Sequence, residues 1–216
     1  NITQMKKKDY YNVEAVFWKK GRVIYRDNTK IIFSKDGKCN GIILMLNPGK
    51  CIAKNEEGIT EIQQTFHSEI PPLLHKDPTQ GKIAICVKTA YNTHQLSGYV
   101  FIVNLSNRRE TEQKNLSKED FTKSAEDVME EIETESKKQD NQIKWMWIAF
   151  GKNYEGKDKK YVDELKCKVV KQLSEHKLFK GKIIGGSVQY IHPGQGFRGA
   201  NKKIIIKEIE SKLQNS

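Results

Sequence analysis

Four short apolar runs, separated by longer segments of helical length, constrain the fold of this chain more than any other feature. The runs lie at 41–46, 99–103, 145–150 and 182–190. Apolar strands that alternate with helices are typical of a parallel sheet covered on both faces. The sequence therefore predicts an α/β fold, a three-layer α/β/α arrangement around a central four-stranded parallel sheet.

The segments around these runs complete the predicted order of elements. Helices are predicted at 55–70, 79–95, 117–138, 158–178 and 201–213, the first of them weakened by Gly58. Residues 13–35 predict a small antiparallel element whose strands are separated by turns at Lys20-Gly21 and Asp27-Asn28. We expect one domain over 1–216, with an N-terminal β extension at 1–38 and the core at 39–216.

The charge of the chain is positive but unevenly distributed. The net charge is +11, although the segment from Glu110 to Asp140 holds 11 acidic and only 5 basic residues. A basic body with one acidic element is expected of a protein that binds a polyanion. A soluble basic protein with a solvated lysine surface is the alternative interpretation.

Composition also predicts several absences. No apolar run approaches the ~20 residues of a membrane span, and no apolar stretch follows Lys6-Lys7-Lys8. We therefore expect a cytoplasmic monomer with no membrane partner. The four cysteines form no C-x-x-C pair, so the sequence predicts neither a metal site nor a cofactor.

A polar turn follows each apolar run. Asn47-Pro48-Gly49 follows the first run, Asn104 the second, Gly151-Lys152 the third and His192-Pro193-Gly194 the fourth. In an open α/β sheet the C-terminal ends of the strands meet over one crevice, where ligands bind. Neither G-x-G-x-x-G nor G-x-x-x-x-G-K-[ST] occurs, so dinucleotide-binding and P-loop folds lack their phosphate cradle.

These four motifs, in this order, resemble those of the uracil-DNA glycosylase superfamily, and most closely its mismatch-specific thymine/uracil branch. The resemblance extends over residues 40–213. The chain is also similar to an uncharacterised bacterial family with a Leu-Asn-Pro core motif followed by Asp-Pro-Thr. The resemblance implies a DNA partner, a base extruded from the duplex, and no cofactor.

The resemblance also implies roles for single residues. Asn47 and His192 would be the catalytic pair, Asn47 holding the attacking water and His192 receiving the charge of the leaving base. Asn104, Pro48 and Gly49 would contact the base, with Phe66 or Tyr91 as the aromatic that stacks on it. Contacts to the DNA backbone, or a wedge between its bases, would come from Lys50, Lys152, Gly194, Gln195, Gly196, Phe197, Arg198 and Lys202.

One acid remains beside these residues. Asp77, which precedes Pro78, is interpreted first as a helix cap and in reserve as a general base. Without the resemblance, Asn47 and Asn104 would be turn residues that bond their own backbone.

Two departures from the family pattern bear on specificity. Gly49 occupies the position of a tyrosine that blocks 5-substituted pyrimidines in classical uracil enzymes, and Gly194 replaces a serine. We therefore expect a DNA glycosylase that excises a modified pyrimidine larger than uracil, such as a hypermodified cytosine of phage DNA, in antiviral defence or base excision repair. The alternatives are a non-catalytic nucleic-acid-binding protein and a hydrolase of free nucleosides or nucleotides.

Overall fold

The structure of the chain is a computed structural model. It describes residues 11–35, 37–49, 58–70, 78–92, 96–110, 112–138, 143–151, 154–184, 191–193 and 199–215, with only the backbone described at 67–70 and 78. Its strands are β1 (Tyr11–Lys20), β2 (Val23–Ile32), β3 (Cys39–Met45), β4 (Gln64–Ile70), β5 (Tyr99–Asn104), β6 (Trp145–Ile148) and β7 (Ile183–Ile184). Its helices are α1 (Pro78–Ala90), α2 (Ala125–Lys137), α3 (Lys159–Glu175) and α4 (Ala200–Gln214).

The described strands form one mixed sheet of seven, in the order β4-β1-β2-β5-β3-β6-β7. Four neighbouring strands of this sheet are parallel to one another, in the order β5-β3-β6-β7. β2 joins β5 antiparallel, and β1 and β4 follow antiparallel beyond it. The predicted α/β class is confirmed, but the predicted four-stranded parallel sheet is wrong, because the N-terminal strands extend the same sheet instead of forming a separate element.

The segment at 58–70 differs most from the prediction. A helix was predicted over 55–70, whereas Gln64–Ile70 forms the edge strand β4, paired with β1 over seven residues. The Phe66 ring meets that of Phe17 edge-on at 5.5 Å between centroids. The long strand β1 thus supplies the backbone hydrogen-bond partners of β4 and an aromatic partner for Phe66. This tertiary pairing outweighs the weak local preference of the segment for a helix.

Two apolar clusters lie between the sheet and the helices that cover its two faces. The face of the sheet covered by α2 and α3, here the α2 face, buries the even-numbered residues of β3, such as Ile42 and Leu44. The opposite face, covered by α1 and α4 and here called the α1 face, buries Ile43 and Met45. The predicted core residues Trp145, Trp147 and Phe150 are fully buried.

Local capping explains where α2 begins. The predicted capping box at Ser117 is present, but it closes a short 3₁₀ turn at Lys118–Asp120. A second box forms at Ser124, whose side chain accepts from the backbone of Asp127. Because this box satisfies the orphan N–H groups of the first turn, the helix proper begins at Ala125. Among the described helices, none is long and apolar enough to cross a membrane.

Candidate functional site

The order of the parallel strands marks one position at their C-terminal edge, here called the carboxyl edge. In the sheet, β3 lies between β5 and β6. α1, between β3 and β5, packs on one face, whereas α3, which follows β6, packs on the other. The connections after the neighbouring strands β3 and β6 therefore leave to opposite sides. Ligands of open α/β sheets bind at such a switch point, outside the carboxyl ends of the strands.

Asn47 lies at this point, just beyond the end of β3. Its side chain is buried, and Nδ2 donates to the backbone carbonyl of Glu110 at 2.6 Å. With Nδ2 committed to that carbonyl, Oδ1 is the atom through which Asn47 can accept a hydrogen bond from water. The bond also ties the loop after β3 to the loop after β5.

The two residues after Asn47 have backbone roles. The carbonyl of Pro48 accepts a hydrogen bond from Arg26 Nη2 at 2.5 Å. Gly49 has a φ of 65°, in the left-handed region that favours glycine. The conformation of the turn is therefore sufficient to explain glycine at this position.

Asn104 is the most unusual residue at the carboxyl edge. It ends β5 opposite Met45 of β3, and its relative exposure is 0%. Neither Nδ2 nor Oδ1 has a hydrogen-bond partner among the described residues. A buried unsatisfied polar group costs roughly 1–3 kcal/mol, so a side chain left in this condition requires an explanation.

Sequence reasoning missed Arg26. β2 contains an extra residue between the pairs Glu14–Lys30 and Val16–Asp27, and Asn28 there has a φ of 48°. This bulge reverses the alternation of the strand, so that Arg26 points to the α1 face, as Ile31 does. The signal in the sequence for this bulge was the Asp27-Asn28 pair, which was interpreted as a turn between two strands.

Arg26 is buried and has no carboxylate partner among the described residues. Its relative exposure is 2%, and Nε and Nη1 have no hydrogen-bond partner in the described part of the chain. The neighbouring carboxylate of Asp27 is bound instead by Lys123, at 3.1 Å, and by Asn107, at 3.0 Å. Thr29, which is also fully buried, has an unsatisfied hydroxyl by the same criterion.

His192 and Gly151 meet at the other end of the carboxyl edge. Gly151 has a φ of 83°, and a Cβ placed on it would lie 3.0 Å from the Cβ of His192. His192 is half-buried. The structure therefore brings together the loops after β6 and β7, and glycine is what allows the imidazole to approach.

Several predicted contacts lie elsewhere or are not described. Lys202, in the first turn of α4, is near Cys86 of α1, where burial raises the pKa of the thiol to about 12 and the lysine charge opposes that shift. Phe66 lies on the edge strand, and Tyr91 accepts from Trp145 Nε1 at the opposite edge, so neither stacks at the switch point. Outside the described residues are Asp77, Lys50, Lys152, Gly194, Gln195, Gly196, Phe197 and Arg198.

Comparisons with known proteins add no assignment. No protein-family model, no curated protein and no solved structure matches this chain. The similarity of its motifs to the uracil-DNA glycosylase superfamily therefore rests on the sequence alone. Among the described residues, no three His, Cys, Asp or Glu side chains are grouped to hold a metal ion.

Proposed function

We propose that this protein is a DNA glycosylase that hydrolyses the N-glycosidic bond of an extruded, modified pyrimidine and leaves an abasic site. The observation that carries the proposal is Asn104, fully buried at the carboxyl edge with both ends of its amide unpaired among the described residues. An amide that offers one donor and one acceptor matches the edge of a pyrimidine base. Its unsatisfied atoms are explained if a base completes their hydrogen bonds.

Asn47 and His192 have complementary roles in this proposal. Cleavage proceeds through an oxocarbenium-like sugar and a departing base that carries negative charge. Asn47 Oδ1 orients a water molecule but cannot remove its proton as a carboxylate could, so the step depends on a leaving base that departs before the water is fully engaged. His192 donates a hydrogen bond to the departing base where charge develops.

The hairpin joining β1 and β2 favours a nucleic acid as the substrate. The bridge between Tyr25 and Arg108, which lies beyond the end of β5, carries the hairpin past the carboxyl edge. Trp18 and Tyr25 are stacked on it, with 5.4 Å between ring centroids. The exposed cations at its tip are Lys19, Lys20 and Arg22. Aromatic rings beside basic side chains are typical of surfaces that bind nucleic acids.

Base release from defined oligonucleotides tests the proposal. Substrates containing uracil, thymine mismatches or bulky 5-hydroxymethylcytosine derivatives are incubated with the protein, and alkali-labile abasic sites are counted. We expect release from at least one substrate, with a loss of roughly 10²–10³-fold in Asn47→Ala and His192→Ala. Asn92→Ala, at an exposed position after α1, is the matched control.

The outcomes separate the alternatives. Activity unchanged in both variants contradicts the mechanism. Salt-dependent binding without base release on any substrate favours the non-catalytic nucleic-acid-binding protein. Turnover of free nucleosides or nucleotides with little affinity for DNA favours the hydrolase of small molecules.

A further inference from the structure

We infer that Arg26 forms an oxyanion subsite for a phosphate group of the ligand, next to the loop that holds Asn47. The inference rests on the proposed function only in taking a nucleotide unit as the ligand. Its basis is a guanidinium that is 2% exposed and has no carboxylate partner among the described residues. A buried charge without a counterion is strongly unfavourable, and proteins normally pair it.

The guanidinium is oriented for such a subsite. Nη2 is held by the carbonyl of Pro48, in the same loop as Asn47. This bond uses one of the two N–H groups on Nη2, and Nε and Nη1 have no partner in the described chain. Nε and Nη1 lie on different edges of the guanidinium, so a phosphate would be held in a bidentate manner by one of them together with the second N–H of Nη2.

The backbone of β2 shows that the orientation depends on a local irregularity. Without the extra residue near Asn28, strict alternation would turn residue 26 to the α2 face, where Lys123 already binds Asp27. The bulge instead turns Arg26 to the face that holds Thr29, whose hydroxyl is also unsatisfied among the described residues. The neighbourhood thus contains donors and no described negative charge. Because these atoms are covered in the structure, a ligand must displace the groups over them.

Phosphate-dependent stability tests the subsite without requiring activity. Urea unfolding is measured in sodium phosphate and in sodium chloride of equal ionic strength. We expect phosphate to raise the unfolding midpoint of the unsubstituted protein more than that of Arg26→Met, whose remaining shift is the general stabilising effect of a kosmotropic anion. In chloride, Arg26→Met should be the more stable of the two, because it lacks a buried charge that has no counterion among the described residues. If Arg26 served only to hold the Pro48 loop, the variant would be less stable and would keep the phosphate response.

Phosphate bound at a lysine-lined cavity elsewhere in the protein must be distinguished from phosphate bound at Arg26. A cavity of about 690 Å³ at the opposite edge of the sheet is lined by Lys144, Lys180, Lys182 and Lys212. The experiment is therefore repeated in a Lys144→Met/Lys180→Met background. Lys168→Met, which removes an exposed charge from α3, is the matched control and should keep the response. If Arg26→Met does not fold, Arg26→Lys replaces it, with an expected loss of at least fivefold in phosphate affinity.

Titrations then identify the source of the phosphate. A deoxynucleoside 5′-monophosphate and a single-stranded oligonucleotide with an abasic site are compared, each against the unsubstituted protein and Arg26→Met. A loss of at least tenfold in affinity for either ligand supports the subsite and names its source. Equal affinities in both proteins for phosphate and for both ligands overturn it. Absence of base release from every oligonucleotide would contradict the glycosylase and leave the phosphate result standing.

Discussion

At the residue scale, stability and the proposed function make opposite demands on Asn104. Its amide is fully buried and unsatisfied among the described residues, so the folded protein is less stable than an apolar side chain of similar volume would make it. A residue retained at such a cost is expected where it serves a ligand.

Replacement of Asn104 should therefore stabilise the protein. We expect Asn104→Leu to raise the free energy of unfolding by about 1–3 kcal/mol and to abolish base release, both measured on the same preparation by urea unfolding and by the abasic-site assay. Asn40→Leu is the control, because Asn40 is also buried but donates to the carbonyl of Ser97. The control should lose stability. A decrease in both variants would show that Asn104 is a structural residue.

Gly151 fixes the approach of His192. Alanine at this position would adopt a φ of 83° and place its Cβ 3.0 Å from that of His192. We expect Gly151→Ala to lose about 1–3 kcal/mol of stability, to shift the imidazole resonances of His192 and to lower base release. Gly181→Ala shares the strain, since Gly181 has a φ of 76°, but its Cβ would meet nothing within 4 Å. Unchanged His192 resonances in Gly151→Ala would contradict this role of the glycine.

At the scale of elements, α2 carries a carboxylate that titrates far from its usual range. Burial raises the pKa of Glu131 from 4.5 to about 7, assisted by the negative charges of Asp27 and Glu135 and opposed by Lys123. Lys123 binds both Glu131, at 2.5 Å, and Asp27. The ion pair therefore offsets only part of the cost of removing the carboxylate from water.

This shift predicts a pH dependence of stability. Because the folded state holds the Glu131 proton more tightly than the unfolded chain does, its contribution is fully present below about pH 4.5 and is lost as the pH rises through about 7. The slope of unfolding free energy against pH is proportional to the difference in bound protons between the folded and unfolded states. In that pH range, Glu131→Gln should reduce this difference by up to one proton. Glu130→Gln, at an exposed position of the same helix, should leave the slope unchanged. Equal slopes in all three proteins would contradict the prediction.

The elements differ in how far the sequence predicts them. β3, β5 and β6 are buried on both faces, so continuous apolar runs reveal them. β4 has no such run, and it forms a strand only because β1 provides backbone hydrogen-bond partners along its length. Asn47 and Asn104 are predictable because parallel strand ends meet at one edge. Arg26 is not, because one extra residue near Asn28 decides which face it reaches.

At the scale of the whole molecule, charge is divided between the layers. α2 is acidic, with Glu126 and Asp127 in its first turn, whereas α1 carries Lys82 and Lys88 and no acid. Arg26 and Asn104 lie on the α1 face, and the hairpin with its basic tip extends past the carboxyl edge. We therefore expect a polyanion to approach the carboxyl edge from the α1 side and to be repelled from α2.

Charge reversal at the hairpin tip tests this arrangement. We expect Lys19→Glu/Arg22→Glu to weaken DNA binding at least tenfold at low salt. The slope of log affinity against log salt should also become shallower by about 1–2, because fewer phosphate contacts form and fewer counterions are released on binding. The control Lys160→Glu/Lys168→Glu makes the same change in net charge on exposed positions of α3. Fluorescence anisotropy with a labelled oligonucleotide, measured across salt concentrations, compares the two. Equal loss in both variants would show that net charge alone governs binding, whereas loss confined to the hairpin variant assigns the contact to this part of the carboxyl edge.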